Sequence, residues 1–228
     1  MTQVTQNPAL DHSATGTPVQ YLWSQFEHKT IKQQIMIRQS ILLFLTTLLL
    51  AGAVNAQSKF NTKSFQLTIN GTSNVHDWSS KATNVVVTGD FGLNNVSLEK
   101  INAASVKVKT TSLKSTKDSD LMDGRTHSTL KADKFPEITY VFTKVLSVQQ
   151  SGGETIMNIT GNLTLAGVTK PTDLTLRIKT LPGGDLEVKG TRKILMSNHG
   201  IKPPSFMLGA MKVGDEVTLT YDIILKKA

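Results

Sequence analysis

Gly161-Asn162-Leu163-Thr164-Leu165-Ala166-Gly167-Val168-Thr169-Lys170-Pro171 runs straight into Thr172-Asp173-Leu174-Thr175-Leu176-Arg177-Ile178-Lys179. Leu163 and Leu165 fall on one face of an extended chain while Thr164 points the other way. Leu174, Leu176 and Ile178 then alternate with Thr175, Arg177 and Lys179. That period of two marks strands with one dry and one wet face. Gly167 and Pro171 read as the punctuation of the corner between them.

The same period recurs on both sides of this pair. Phe65, Leu67 and Ile69 alternate with Gln66, Thr68 and Asn70, and Val85 to Phe91 is a β-branched run. Val106 and Val108 oppose Lys107 and Lys109; Ile138, Tyr140 and Phe142 oppose Thr139, Val141 and Thr143. Met157, Ile159, Gly161, Leu163 and Leu165 share a face. Leu186 to Leu195 follows a Pro182-Gly183-Gly184-Asp185 turn, and Val217, Leu219, Tyr221, Ile223 and Leu225 close the set. Eight strands at hairpin spacing predict an all-β fold, an antiparallel up-and-down barrel that leaves no free sheet edge. One short helix, a turn or two, is expected around Ser119 to Leu130, with Ser119 as its cap, Leu121, Met122 and Leu130 facing inward and Gly124 weakening it.

The N-terminal segment reads differently. Ile41 to Ala53 is almost wholly apolar, Arg38 precedes it and Val54-Asn55-Ala56 follows. A basic start, a short oily core and a small-residue exit predict a cleavable signal peptide over 36–56. The run falls short of the roughly 20 residues a spanning helix needs. Residues 1–35 read as a mis-annotated start, with translation beginning at Met36, or as a disordered extension. The folded domain is then 57–228. Cys is 0, which excludes disulfides, thiolate chemistry and a Cys-linked lipid. A disulfide-free exported domain fits a bacterial periplasm.

Several segments resemble the YceI-like family of periplasmic polyisoprenoid-binding, lipocalin-like proteins. The resemblance rests on the 161–171 corner and on Leu130-Lys131-Ala132-Asp133-Lys134-Phe135-Pro136-Glu137-Ile138-Thr139-Tyr140. It also rests on Gly71-Thr72-Ser73-Asn74-Val75-His76-Asp77-Trp78, on Ser197-Asn198-His199-Gly200-Ile201 and on Val213-Gly214-Asp215-Glu216-Val217. Together these reach from about Phe65 to the C-terminus in the family's order. The resemblance implies non-covalent binding of a polyisoprenoid, isoprenoid quinone or related lipid, with no reaction and no cofactor beyond a bound isoprenoid lipid.

The expected ligand-binding residues are Phe65, Leu67, Ile69, Trp78, Tyr140, Phe142, Leu163, Leu165, Phe206, Met207, Leu219 and Tyr221. A solid core without a cavity is the competing reading of the same alternation. The loop from Ile201 to Gly209 is too apolar for an ordinary solvated loop, and reads as a lid or as a permanent plug. His76 and Asp77 could orient a base, yet no nucleophile motif accompanies them, and a hydrogen-bonded hairpin corner under Trp78 is the plainer reading. No catalytic or metal site is expected. The net charge of +8 is spread over strands and turns without interleaved aromatics, which argues against nucleic acid and leaves peripheral membrane contact open. A homodimer also stays open. The alternative function is a structural or stress-protective envelope barrel that acts through surface protein contacts without a bound lipid.

Overall fold

The computed structural model describes residues 57–94 and 97–228, together with Arg38. The expected signal segment and the 1–35 leader lie outside the described residues. The chain divides into a unit over Met1–Val54 and a second over Asn55–Ala228, and the second carries the fold.

Its strands are β1 (Gln57–Ser73), β2 (Trp78–Ala82), β3 (Val85–Asn94), β4 (Ser97–Lys109), β5 (Leu113–Ser115) and β6 (Glu137–Ser151). They continue as β7 (Glu154–Leu165), β8 (Val168–Thr180), β9 (Leu186–Leu195), β10 (Ser205–Phe206) and β11 (Met211–Lys227). Helix α1 spans Asp120–Thr129. Eight strands form a closed antiparallel barrel in the order β1-β3-β4-β6-β7-β8-β9-β11, and β11 returns to β1. That closing ladder runs from Phe60 opposite Lys227 to Ser73 opposite Val213. The eight long strands are those the alternation marks. The short β2, β5 and β10 are additions: β2 pairs with the end of β1, β5 with β2, and β10 with the start of β11.

The β7–β8 corner differs from the sequence reading in one respect. Ala166 and Gly167, both at positive φ (49° and 83°), form the two-residue turn, as a twisted hairpin prefers. Pro171 is not part of it; it lies inside β8, opposite Asn162. Counted from that turn, Asn162 and Pro171 are a non-hydrogen-bonded pair, so the missing N–H would have faced β9. There the β8–β9 ladder is absent, since it runs only from Arg177 opposite Lys189 to Thr180 opposite Leu186. Proline is tolerated because that seam is open.

Helix α1 is longer than expected. Ser119 caps it by accepting the Met122 N–H at 3.3 Å. Its persistence through Gly124 comes from tertiary anchors rather than propensity. The buried Asp123 carboxylate accepts the Ser115 N–H at 2.6 Å and pairs with Lys114 at 3.0 Å, and the His127 ring meets the Leu113 carbonyl at 2.9 Å. Burial alone would raise the Asp123 carboxyl. The Ser115 N–H and Lys114 outweigh it and hold the group below the usual carboxylate range.

The main core gathers where β1, β4, β7 and β9 begin and β3 and β11 end, and part of it also lines the cavity inside the barrel. Phe60, Phe91, Leu98, Met157, Leu186 and Leu225 are all buried there, with the Phe60 and Phe91 rings 5.5 Å apart at a tilt. A smaller cluster of Ala166, Met196, Ile201 and Val217 packs at the other end. Among the described residues no helix is long and apolar enough to cross a membrane.

Candidate functional site: the barrel cavity and its mouth

Inside the barrel lies a cavity of about 460 Å³, within the range of roughly 300–1,000 Å³ usual for small-molecule sites. Its wall is set by strand parity. Leu67 and Ile69 of β1 stand opposite Tyr221 and Leu219 of β11, and all four line the space. Leu174, Leu176 and Ile178 of β8 line it with Val188 and Ile194 of β9. Of the twelve residues named from sequence, Leu67, Ile69, Trp78, Tyr140, Leu163, Leu165, Phe206, Leu219 and Tyr221 line the cavity. Phe65 and Phe142 share the inward parity but are half-buried against the core. Met207 is 73% exposed at the tip of the loop between β10 and β11.

Two tyrosines bring hydroxyls to the wall, beside Ser80 and Thr172. The Tyr140 hydroxyl donates to the Thr172 carbonyl and the Tyr221 hydroxyl to the Thr175 carbonyl, each at 3.1 Å. Both acceptors are on β8. Burial, with Asp173 adding to it, pushes the Tyr140 hydroxyl up to about 12. Burial and the neighbouring Tyr140 push Tyr221 up as well. Both rings are therefore neutral donors over the physiological range, anchoring the bore rather than offering a base.

One end of the cavity opens between three elements. Helix α1 presents Leu121, Met122, Arg125, Thr126 and Thr129 to it, followed by Leu130 at its C-cap, a three-and-four spacing that defines one helix face. Pro204, Phe206, Met211 and Val213 come from the β10–β11 hairpin, and Ser73 and His76 from the β1–β2 loop. These loops are tied together. The Asn74 amide donates to the Ala210 carbonyl at 2.8 Å and accepts the Lys212 N–H at 2.7 Å. The Arg125 guanidinium sits 3.9 Å from the centroid of the Phe206 ring.

The Ile201–Gly209 loop therefore divides the two readings made of it. Ile201 is buried in the smaller cluster like a plug, Phe206 lies over the mouth, and Met207 and Leu208 face solvent. Leu121, Met122 and Leu130, the apolar residues expected to face inward, all line the cavity; Arg125, Thr126 and Thr129 escaped the sequence reading because polar side chains there look like a solvated face.

Trp78 packs on the bare Cα of Gly71, its cross-strand partner, and donates Nε1–H to the Thr72 carbonyl at 3.2 Å. The His76 ring meets the Asp77 backbone carbonyl at 3.1 Å, not a carboxylate. His199 likewise meets the Val168 carbonyl at 3.1 Å. Among the described residues no three His, Asp or Glu side chains converge as a metal site would require.

The YceI-like domain matches residues 51–225 of the chain. The chain is 35% identical over 116 residues to Protein YceI of Salmonella arizonae and, equally, to that of Salmonella newport. Each match covers 51% of this chain and 56% of the relative, so the chain spans about half the length of these curated relatives. Two solved structures share the fold. One is Burkholderia cenocepacia BcnA (TM-score 0.56, 13% identity, 70% of this chain and 95% of that one). The other is a polyisoprenoid binding domain from Saccharophagus degradans implicated in plant cell wall breakdown (TM-score 0.57, 12% identity, 75% and 99%). With the domain match covering the whole barrel, the chain belongs to the YceI-like family.

Proposed function

We propose that this protein binds one long apolar lipid, a polyisoprenoid or isoprenoid quinone-like molecule, and carries or sequesters it in the periplasm without chemical change. The observation behind this reading is the cavity itself: a space of about 460 Å³ whose wall is almost wholly aliphatic and aromatic. Moving a hydrocarbon chain out of water into it gains about 25 cal/mol per Å² of apolar surface. The structural neighbour from Saccharophagus degradans, described as a polyisoprenoid binding domain, supports the choice of chain. Phe65, Phe142 and Met207 belong to this reading as supports of the wall and mouth, the other nine named residues as its lining. The strand-borne wall is preformed, so a chain can enter it with little rearrangement.

The rim supports transient membrane contact during loading. Met207 and Leu208 are 73% and 110% exposed, and Leu121 and Val75, 65% and 59% exposed, stand on the two other elements of the mouth. Exposed apolar tips around an apolar opening suit the bilayer interface.

The test is calorimetric titration of lipid-stripped protein with a prenyl alcohol across a range of temperatures. Saturable one-to-one binding with a negative heat-capacity change is expected. Absence of binding in folded protein would favour the alternative, a barrel that acts through its surface.

A further inference from the structure

Among the described residues, Arg125 is the only Lys, Arg, Asp or Glu that lines the cavity. It stands at the mouth, half-buried, and makes no ion pair; its guanidinium instead rests against the Phe206 ring at 3.9 Å. The carboxylates close to it in sequence are directed elsewhere. Asp123 is spent on Ser115 and Lys114, and Asp118 and Asp120 are exposed and do not line the cavity. One helical turn on, Thr129 lines the same wall, and among the described residues its hydroxyl has no hydrogen-bond partner. A planar cation with five N–H donors and an unused hydroxyl thus face the opening of an otherwise uncharged space.

We infer that the lipid taken up here carries an anionic head group, a phosphate or a carboxylate, which Arg125 binds at the mouth while the chain fills the bore. This rests on the reading above, that the cavity holds an apolar chain, and names the chemistry of the chain's polar end. Guanidinium matches both anions with paired, charge-assisted hydrogen bonds. The ring of Phe206 holds it at the rim, so little side-chain freedom remains to be lost on binding. A neutral head group would leave the guanidinium with only water and the Phe206 ring as partners.

The experiment compares three ligands with one tail, geranylgeranyl phosphate, geranylgeranoic acid and geranylgeraniol, on the lipid-stripped full chain at low salt. At least one anion is expected to bind about tenfold or more tightly than the alcohol, as charge-assisted hydrogen bonds to a guanidinium require. The stronger of the two identifies its chemistry. Arg125→Gln, its fold checked by circular dichroism and urea unfolding, is expected to lose the preference for the anion over the alcohol. Arg125→Lys, retaining the charge, keeps part of it. Equal affinity for all three ligands, or a preference that survives in R125Q, would overturn the inference while leaving carriage intact. Failure of all three to bind would overturn the carriage reading, and the inference with it.

Discussion

The phenol ring of Tyr140 lies on the bare Cα of Gly161, and from there its hydroxyl reaches across to the Thr172 carbonyl of the next strand. A Cβ at position 161 would stand 2.5 Å from the ring Cζ and 2.5 Å from the Val141 carbonyl oxygen. Tyr221 repeats the arrangement over Gly190, with Thr175 as acceptor. Two glycines thus make room for two tyrosines that pin β8 from inside the bore, beside the seam where β8 and β9 part.

Gly161→Ala is therefore expected to destabilise the barrel by about 1–3 kcal/mol through overpacking. At an open site the same change would stabilise by about 0.4–1 kcal/mol. The urea midpoint decides between the two signs, and an unchanged or higher midpoint would contradict the packing described.

The anchor of α1 carries a pH signature. The native Asp123 carboxyl is held below its unfolded value of about 3.9. The ionised form is thus favoured by folding, and its contribution is complete above about pH 4 and lost as pH falls through the lower native value. Asp123→Asn is expected to cost about 1–2 kcal/mol at neutral pH, where a charged acceptor is replaced by a neutral one. The gap between native chain and variant should narrow as pH falls from about 4 toward the depressed native value. A gap in denaturation midpoint that stays constant over that fall would count against the anchor.

The eight barrel strands were legible in the sequence because one-sided burial imposes a period of two; β7 keeps it along almost its whole length, while β1, β4 and β6 interrupt it with register shifts. The wall of the site was legible for the same reason: Leu67, Leu163 and Leu219 needed only strand parity to be placed. Parity does not set depth, however. Phe65 and Phe142 point inward yet pack beside the cavity, because neighbouring side chains cover them. The roof was legible only through its apolar residues Leu121, Met122 and Leu130. Arg125 and Thr129 occupy the inward face of a helix held in place by Asp123 and His127, and polar residues at helical spacing look like a solvated face. Pro171 misled for a related reason, since only the three-dimensional fold discloses that the seam beside it is unpaired.

The hairpin tip makes a kinetic claim. Met207, Leu208 and Gly209 all have positive φ (52°, 53° and 89°), a conformation that costs about 1–2 kcal/mol at each non-glycine position. The strained turn holds two apolar side chains outward beside the mouth. Replacing both Met207 and Leu208 with serine is expected to slow lipid transfer from vesicles several-fold. Affinity for a dispersed prenyl alcohol should be unchanged, because neither residue lines the cavity. Unaltered transfer, followed by a fluorescent prenyl probe, would remove the membrane-loading role from the tip.

Native mass spectrometry of the protein purified gently from its native cells tests the proposed carriage most directly. One lipid-sized adduct per chain is expected, lost on organic extraction and recovered as a prenyl-chain molecule. A folded protein that flies at the bare polypeptide mass in every preparation would contradict it.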